Sequence, residues 1–250
     1  MMPAMDWLFD IPIAHRGLHD AAAGVPENSL AAFEAARDRG YPAELDVRLL
    51  RDGSVAVFHD DNLQRMTGSA VLLEDQDAAS VKDFSIGGTA EKIPLLAEVL
   101  DVVGGKTPLL FELKNFGIPG DLESAVLAAL ETYDGRFAVQ SFNPFSMGWF
   151  KVHAPGITRG HLSGGFEGLP LEQNLIESLR RLDLVDVSAP AFVGYDIRLL
   201  PYGPVSALRA RGMPVLGWTV QSEDDRRHAA TCCDNYVFEN IDPLGISHDT

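Results

Sequence analysis

Ala43-Glu44-Leu45-Asp46-Val47-Arg48-Leu49, then Arg51-Asp52-Gly53-Ser54, then Val55-Ala56-Val57-Phe58-His59-Asp60, is the stretch on which the reading of this chain turns. Glu44 and Asp46 stand two apart in an apolar strand, so their side chains share one face. Two carboxylates on the buried face of a sheet are costly unless a cation or hydrogen-bond donors sit between them. Asp52-Gly53 is a tight-turn signal. With those two as the turn residues, paired positions sum to 105 and Asp46 faces His59. One hairpin then brings two carboxylates and an imidazole to one place.

Upstream, Ile11-Pro12-Ile13-Ala14 reads as a short buried strand ending in His15-Arg16-Gly17. Asn28 or Ser29 caps a helix over Leu30–Arg37, which Gly40 stops, and the strand from Ala43 completes a βαβ unit. Residues 62–93 carry polar turns and no long periodic run. Together with the hairpin they form an insertion at about 49–93. Pro94 opens a helix over Leu95–Val103.

From there strands and helices alternate. Strands are expected at Leu109–Leu113, Phe137–Gln140, Ile157–Leu162, Leu184–Ser188, Val215–Val220 and Tyr236–Phe238. Helices are expected at Leu122–Tyr133, Pro144–Val152, Leu171–Leu182, Val205–Arg211 and Glu223–Thr231. About eight strand–helix units predict an α/β fold of the TIM type, a (βα)8 barrel in one domain over residues 1–250. A doubly wound sheet would call for a Gly-rich phosphate turn, which is lacking.

The net charge of −16 argues against nucleic acid or an anionic membrane as the main partner, and an anionic substrate must be held by local cations or a metal. The two cysteines, Cys232 and Cys233, are adjacent, so no structural disulfide is expected. The N-terminal segment lacks a basic start and a long apolar run, and no stretch has the length of a membrane span. The expectation is a cytoplasmic protein without stable membrane association.

Active sites of such barrels lie at the C-terminal ends of the strands. Those ends carry His15-Arg16, Glu44 with Asp46, Glu112 with Lys114, Gln140-Ser141, His161, Ser188, Trp218 and Glu239. Glu44, Asp46 and Glu112 are hard oxygen ligands suited to Mg2+, Ca2+ or Mn2+. Glu112 could instead pair with Lys114. His15 and His59 are candidates for proton transfer near neutral pH. Arg16 and Lys114 suit phosphate oxygens, and Arg16 could also pair with Glu27. Trp218 could pack on an organic substrate or belong to the barrel core. His19, His153, His228 and His248 show no such company.

These motifs have a family likeness. His15-Arg16-Gly17, Pro26-Glu27-Asn28-Ser29-Leu30, Glu44-Leu45-Asp46-Val47, Val57-Phe58-His59-Asp60 and Phe111-Glu112-Leu113-Lys114, in this order and spacing, resemble the glycerophosphodiester phosphodiesterase family. Weaker continuations are Ile93-Pro94-Leu95, Ser141-Phe142 and Trp218-Thr219-Val220. The resemblance implies a (βα)8 barrel and one divalent cation, usually Mg2+ or Ca2+, on Glu44, Asp46 and Glu112. It also implies His15 and His59 as the acid/base pair and Arg16 and Lys114 on the phosphate. The implied substrate is a small-molecule glycerophosphodiester, cleaved to glycerol 3-phosphate and an alcohol. Two departures stand out: Glu239-Asn240 where Thr-Asp is frequent, and Asn143 where Asp is common.

Three other readings compete. A phospholipase D-like activity on lysophospholipids would need an apolar groove. A Schiff-base aldolase on Lys114 is disfavoured because Glu112 keeps the lysine charged. A non-catalytic metabolite-binding barrel would leave the assembled metal and histidine set without a purpose.

Overall fold

The structure, a computed structural model, describes residues 5–166 and 171–245. The first four residues of the N-terminal segment and His248 lie outside them. In chain order the elements are α1 (Trp7–Asp10), β1 (Ile13–Ala14), α2 (Leu30–Asp38), β2 (Ala43–Leu49), β3 (Val55–Val57), α3 (Gln64–Thr67) and α4 (Leu96–Val103). There follow β4 (Leu109–Leu113), α5 (Asp121–Leu130), β5 (Phe137–Ser141), α6 (Pro144–His153), β6 (Arg159–Ser163), α7 (Gln173–Arg180) and α8 (Val185–Ser188). The last are β7 (Phe192–Asp196), α9 (Gly203–Ala210), β8 (Val215–Val220), α10 (Glu223–Cys232) and β9 (Asn235–Phe238). Eight strands run parallel in the order β1-β2-β4-β5-β6-β7-β8-β9, and β9 pairs back to β1, closing a TIM barrel. β3 lies outside the barrel, antiparallel to β2. Among the described residues no helix is long and apolar enough to cross a membrane.

The two-residue period of the strands sorts side chains into two layers. Ala43, Leu45 and Val47 of β2, with Leu109, Phe111 and Leu113 of β4, join the helices in the main core, where they meet Phe33, Val99 and Val126. The alternate positions turn into the barrel. There Ile13, Leu110, Ala138, Phe192, Leu216 and Val237 pack on Trp7 and Leu8 of α1, which plugs the floor. One inward position further along β4 from Leu110 is Glu112, and β2–β4 pairing sets it level with Asp46. The chemistry therefore sits on the layer above an apolar plug.

The hairpin register differs from the expected one. Val47 pairs with Val57 and Leu49 with Val55, so paired positions sum to 104, and Asp46 accepts from the Phe58 amide rather than facing His59. The loop holds three residues, Arg51-Asp52-Gly53, with Gly53 left-handed at φ 85°, a bulged turn that shifts the register by one. His59 reaches the site as the residue just beyond the pairing. Leu50, Phe58, Leu63, Leu73, Val81, Ile86 and Ile93 form a separate small core that holds this arm in place.

The stretch read as a strand at Leu184–Ser188 is the short helix α8, and the strand is β7, in the stretch read as a loop. Over five residues apolar alternation does not separate helix from strand. Ala189, left-handed at φ 41°, ends the helical turn. Gly194 weakens the strand signal of β7, but the barrel requires it: a Cβ there would lie 2.4 Å from Leu162 Cδ2. The strand end at this point of the rim is accordingly Asp196, not Ser188.

Candidate active site

Glu44, Asp46 and Glu112 come together at the top of the barrel, each offering an oxygen within 4.8 Å of the others'. All three are buried. Lys114, two residues past Glu112 on the same face, puts Nζ 3.0 Å from Asp46 Oδ1 and in contact with Glu112 Oε1. Arg16 Nε lies 3.2 Å from Asp46 Oδ2, and Asn28 Nδ2 donates to the same oxygen at 2.8 Å. Burial opposes the charged form of Asp46, but Lys114 and Arg16 outweigh it and hold its pKa below the carboxylate range. Glu44 goes the other way: burial, then Asp46 and Glu112, push it well up. Among the described residues its Oε1 is buried with no donor. Asp46 Oδ1 and Glu112 Oε1, which lack hydrogen-bond partners among the described residues, lie against the lysine ammonium. Three hard oxygen donors converging in this way, with a single ammonium between two of them, fit a divalent cation such as Mg2+, Mn2+ or Ca2+.

The loop after β1 is clamped to this cluster. The Arg16 amide donates to Glu44 Oε2 at 3.0 Å, and the Asn28 amide donates to the Arg16 carbonyl at 2.9 Å. Both residues are left-handed, at φ 54° and 55°, a conformation non-glycine residues adopt at a cost. Gly17 (φ +78°) passes so close to α2 that a Cβ would lie 2.8 Å from that of Ala32. His15-Arg16-Gly17 is therefore a wedge between the helix and the carboxylates.

Each candidate acid/base histidine has a carboxylate on Nδ1. For His15 it is Glu239 Oε2 at 2.5 Å; for His59 it is Asp60 Oδ1 at 2.7 Å. Asp60 is gripped by Arg65, which also grips Glu27; Glu27 takes Arg16 at 2.7 Å, and Arg16 returns to Asp46. One ionic chain thus joins His59 to the carboxylate cluster. Burial, the first influence on His15, lowers its pKa against the pull of Glu239, favouring the neutral imidazole.

His15, Arg16, Glu44, His59, Glu112, Lys114 and Trp218 all line one chamber of about 180 Å3. Trp218 and Phe142 meet edge to face at 5.5 Å, and Phe142 meets Phe166 at 5.8 Å, forming an aromatic wall. The wall leads past His59 into an outer groove with Phe116. Asn143, at the site where an aspartate is common, donates to the carbonyls of Asn115 and Gly117 at 3.0 and 3.1 Å and so anchors the loop bearing Phe116. A carboxylate could not donate there.

Of the remaining strand-end positions Gln140 also lines the chamber, while most other histidines stay apart from it. His161 turns outward to Ser188, 2.9 Å from its hydroxyl, and burial lowers its pKa to about 4. His153 stacks on Trp149, and His228 meets the Leu200 carbonyl. His19, read as ordinary, lies 3.5 Å from Glu239. The sequence reading missed Asp60, Arg65 and the partnership of Glu239 with His15. Only the pairing of the first strand with the last reveals that partnership.

A family profile described as "Glycerophosphoryl diester phosphodiesterase family" matches residues 15–238. The chain is 30% identical over 226 residues to the glycerophosphodiester phosphodiesterase of Caldanaerobacter subterraneus subsp. tengcongensis, covering 85% of this chain and 86% of that one. It is 31% identical over 245 residues to that of Bacillus altitudinis, covering 91% and 93%. Among solved structures, an Oleispira antarctica phosphodiesterase in complex with the product sn-glycerol-3-phosphate superposes with a TM-score of 0.76 at 27% identity over 93% of each chain.

Proposed function

The chain belongs to the glycerophosphoryl diester phosphodiesterase family, and on that premise we propose that it hydrolyses small glycerophosphodiesters to glycerol 3-phosphate and the free alcohol. The observation that carries this reading is the convergence on one chamber of the carboxylates, two histidines and two cations. Glu44, Asp46 and Glu112 would hold one divalent cation, which when bound supplies positive charge to the phosphodiester oxygens and acidifies a neighbouring hydroxyl.

The chain's own groups do the rest. Arg16 and Lys114 add fixed positive charge beside the phosphate. One of His15 and His59 takes the proton of the glycerol 2-hydroxyl, whose oxygen attacks phosphorus intramolecularly. The other gives a proton to the departing alkoxide. Water then opens the cyclic phosphate with the two roles exchanged. The aromatic wall of Trp218, Phe142 and Phe166 packs on the organic part of the substrate.

The test is turnover of glycerophosphocholine, glycerophosphoethanolamine and bis-glycerophosphate with EDTA, Mg2+, Ca2+ or Mn2+, with products followed by phosphorus NMR. Metal-dependent release of glycerol 3-phosphate is expected, lost in His15→Ala and in His59→Ala. Release of phosphocholine, or full activity in either variant, would defeat the reading. The outer groove with Phe116, Phe142, Phe166 and Trp218 favours a second reading, cleavage of lysophospholipids. Comparing lysophosphatidylcholine with glycerophosphocholine separates the two.

A further inference from the structure

Closure of the barrel brings the two ends of the chain's chemistry side by side. Ile13 pairs with Val237 and Ala14 with Phe238, and the His15 amide donates to the Phe238 carbonyl at 2.8 Å. The next residue on each strand is therefore His15 on β1 and Glu239 on β9. Their side chains meet, with His15 Nδ1 2.5 Å from Glu239 Oε2.

Glu239 is itself held at both oxygens. Gln221 Nε2 donates to Oε1, and His19 Nε2 lies 3.5 Å from Oε2. Its amide donates to the Val220 carbonyl at 3.1 Å, fixing the backbone to β8. A carboxylate with this many partners has little rotamer freedom. Burial works to raise its pKa, but the hydrogen bond from His15 and the neighbouring His19 hold it far below the ordinary value. It is thus an acceptor, and the proton it accepts must be the one on Nδ1.

We propose that Glu239 is the positioning residue of His15: it holds the imidazole proton on Nδ1 and so leaves the Nε2 lone pair for the chamber that His15 lines. A neutral imidazole in water favours the opposite tautomer, with the proton on Nε2, in which Nε2 cannot accept one. The paired carboxylate reverses that preference and fixes the ring plane. The device belongs to this chain's Glu239-Asn240 ending, since the side chain at 239 must carry an acceptor oxygen across from β9 to β1, as Glu239 Oε2 does. The inference rests on the proposed role of His15, but its first test does not.

The experiment uses the full chain labelled with 15N-histidine, without metal, at pH 7.5. In the wild type the ring nitrogens of His15, assigned through His15→Gln, are expected to report Nδ1–H and an unprotonated Nε2. In Glu239→Ala the signal should move toward the Nε2–H tautomer, while Glu239→Gln, which keeps an acceptor, should retain Nδ1–H. Wild-type His15 protonated on Nε2, or a Glu239→Ala spectrum identical to wild type, overturns the proposal. In turnover, Glu239→Ala should lower kcat about 100-fold with KM within about threefold, and Glu239→Gln about 10-fold. The double variant His15→Ala/Glu239→Ala should be no slower than His15→Ala alone. A further loss in the double variant would show that Glu239 acts elsewhere and would also overturn the proposal. Full activity in His15→Ala would instead defeat the catalytic reading of His15, an outcome the spectra keep separate.

Discussion

Lys114 Nζ lies 3.0 Å from Asp46 Oδ1, inside the ring of carboxylates whose charge it offsets. One ammonium and Arg16 keep Asp46 ionised, and the unrelieved repulsion falls on Glu44, whose pKa is raised by burial and then by its acidic neighbours. An acid raised in the folded state binds its proton more tightly there than in the unfolded chain. Stability of the metal-free protein therefore falls as pH climbs from about 4.5 through the folded value. Glu44→Gln removes that penalty, so without metal it should melt no lower than wild type at pH 7. With divalent cation at a hundredfold excess over Kd, wild type should gain about 2.7 kcal/mol, roughly 5–11 °C for a chain of this size. The variant should gain almost nothing. Thermal melts with EDTA and with added metal check this; equal metal responses would remove Glu44 from the ligand set.

Arg65 bridges Asp60 to Glu27, with contacts of 2.7 Å to each, although its side chain is 46% exposed. Surface ion pairs contribute little to folding. This one instead fixes the carboxylate that orients His59 and, through Glu27, the guanidinium beside Asp46. Arg65→Ala should therefore leave Tm within about 3 °C while lowering kcat about 10-fold, as loss of an outer orienting group does. Steady-state kinetics and a melt on the same preparation decide it. A variant that loses stability without losing turnover would show that the ionic chain serves only the fold.

Trp218 lines the chamber, and its Nε1–H is buried without an acceptor among the described residues. A buried unsatisfied donor is costly, and a substrate oxygen is the natural acceptor. Trp218→Phe keeps an aromatic ring against Phe142 and removes the donor. Losing one neutral hydrogen bond of about 1 kcal/mol should raise KM about fivefold with kcat and Tm little changed. An unchanged KM would make the indole a wall and nothing more.

The carboxylate cluster was legible because two local rules suffice for it. Glu44 and Asp46 share a face by the strand period, and the alternation of elements brings β4 beside β2, which levels Glu112 with Asp46. His59 lines the same chamber, although the register that the turn signal predicts is off by one, since the extra turn residue leaves it beyond the ladder. The failures have non-local causes. His15 and Glu239 are 224 residues apart, and only barrel closure makes them neighbours. β7 hides behind Gly194, a glycine that the packing of Leu162 demands and that lowers strand propensity. The floor helix α1 is a single turn, too short for any period to show.

His161 offers a test of the barrel away from the chamber. It is buried between β6 and α8, held at Nδ1 by Ser188, with Nε2 unpartnered among the described residues, and burial lowers its pKa to about 4 from 6.5. A base lowered in the folded state takes up its proton later than the unfolded chain does. Stability is therefore full above pH 6.5 and lost as pH falls toward 4, by about 3 kcal/mol for this group. In the upper part of that window most carboxylates are still ionised in both states, so histidines dominate the slope. Replacing His161 with Gln keeps a polar contact to Ser188 and removes the titration. Urea unfolding between pH 7 and pH 5 should then show a slope shallower than wild type, by a difference that grows as pH falls and approaches one proton, roughly 1.4 kcal/mol per pH unit, near pH 5. Parallel slopes would mean that His161 protonates within the folded barrel, which would require an opening of the β6–α8 contact that its buried geometry does not provide.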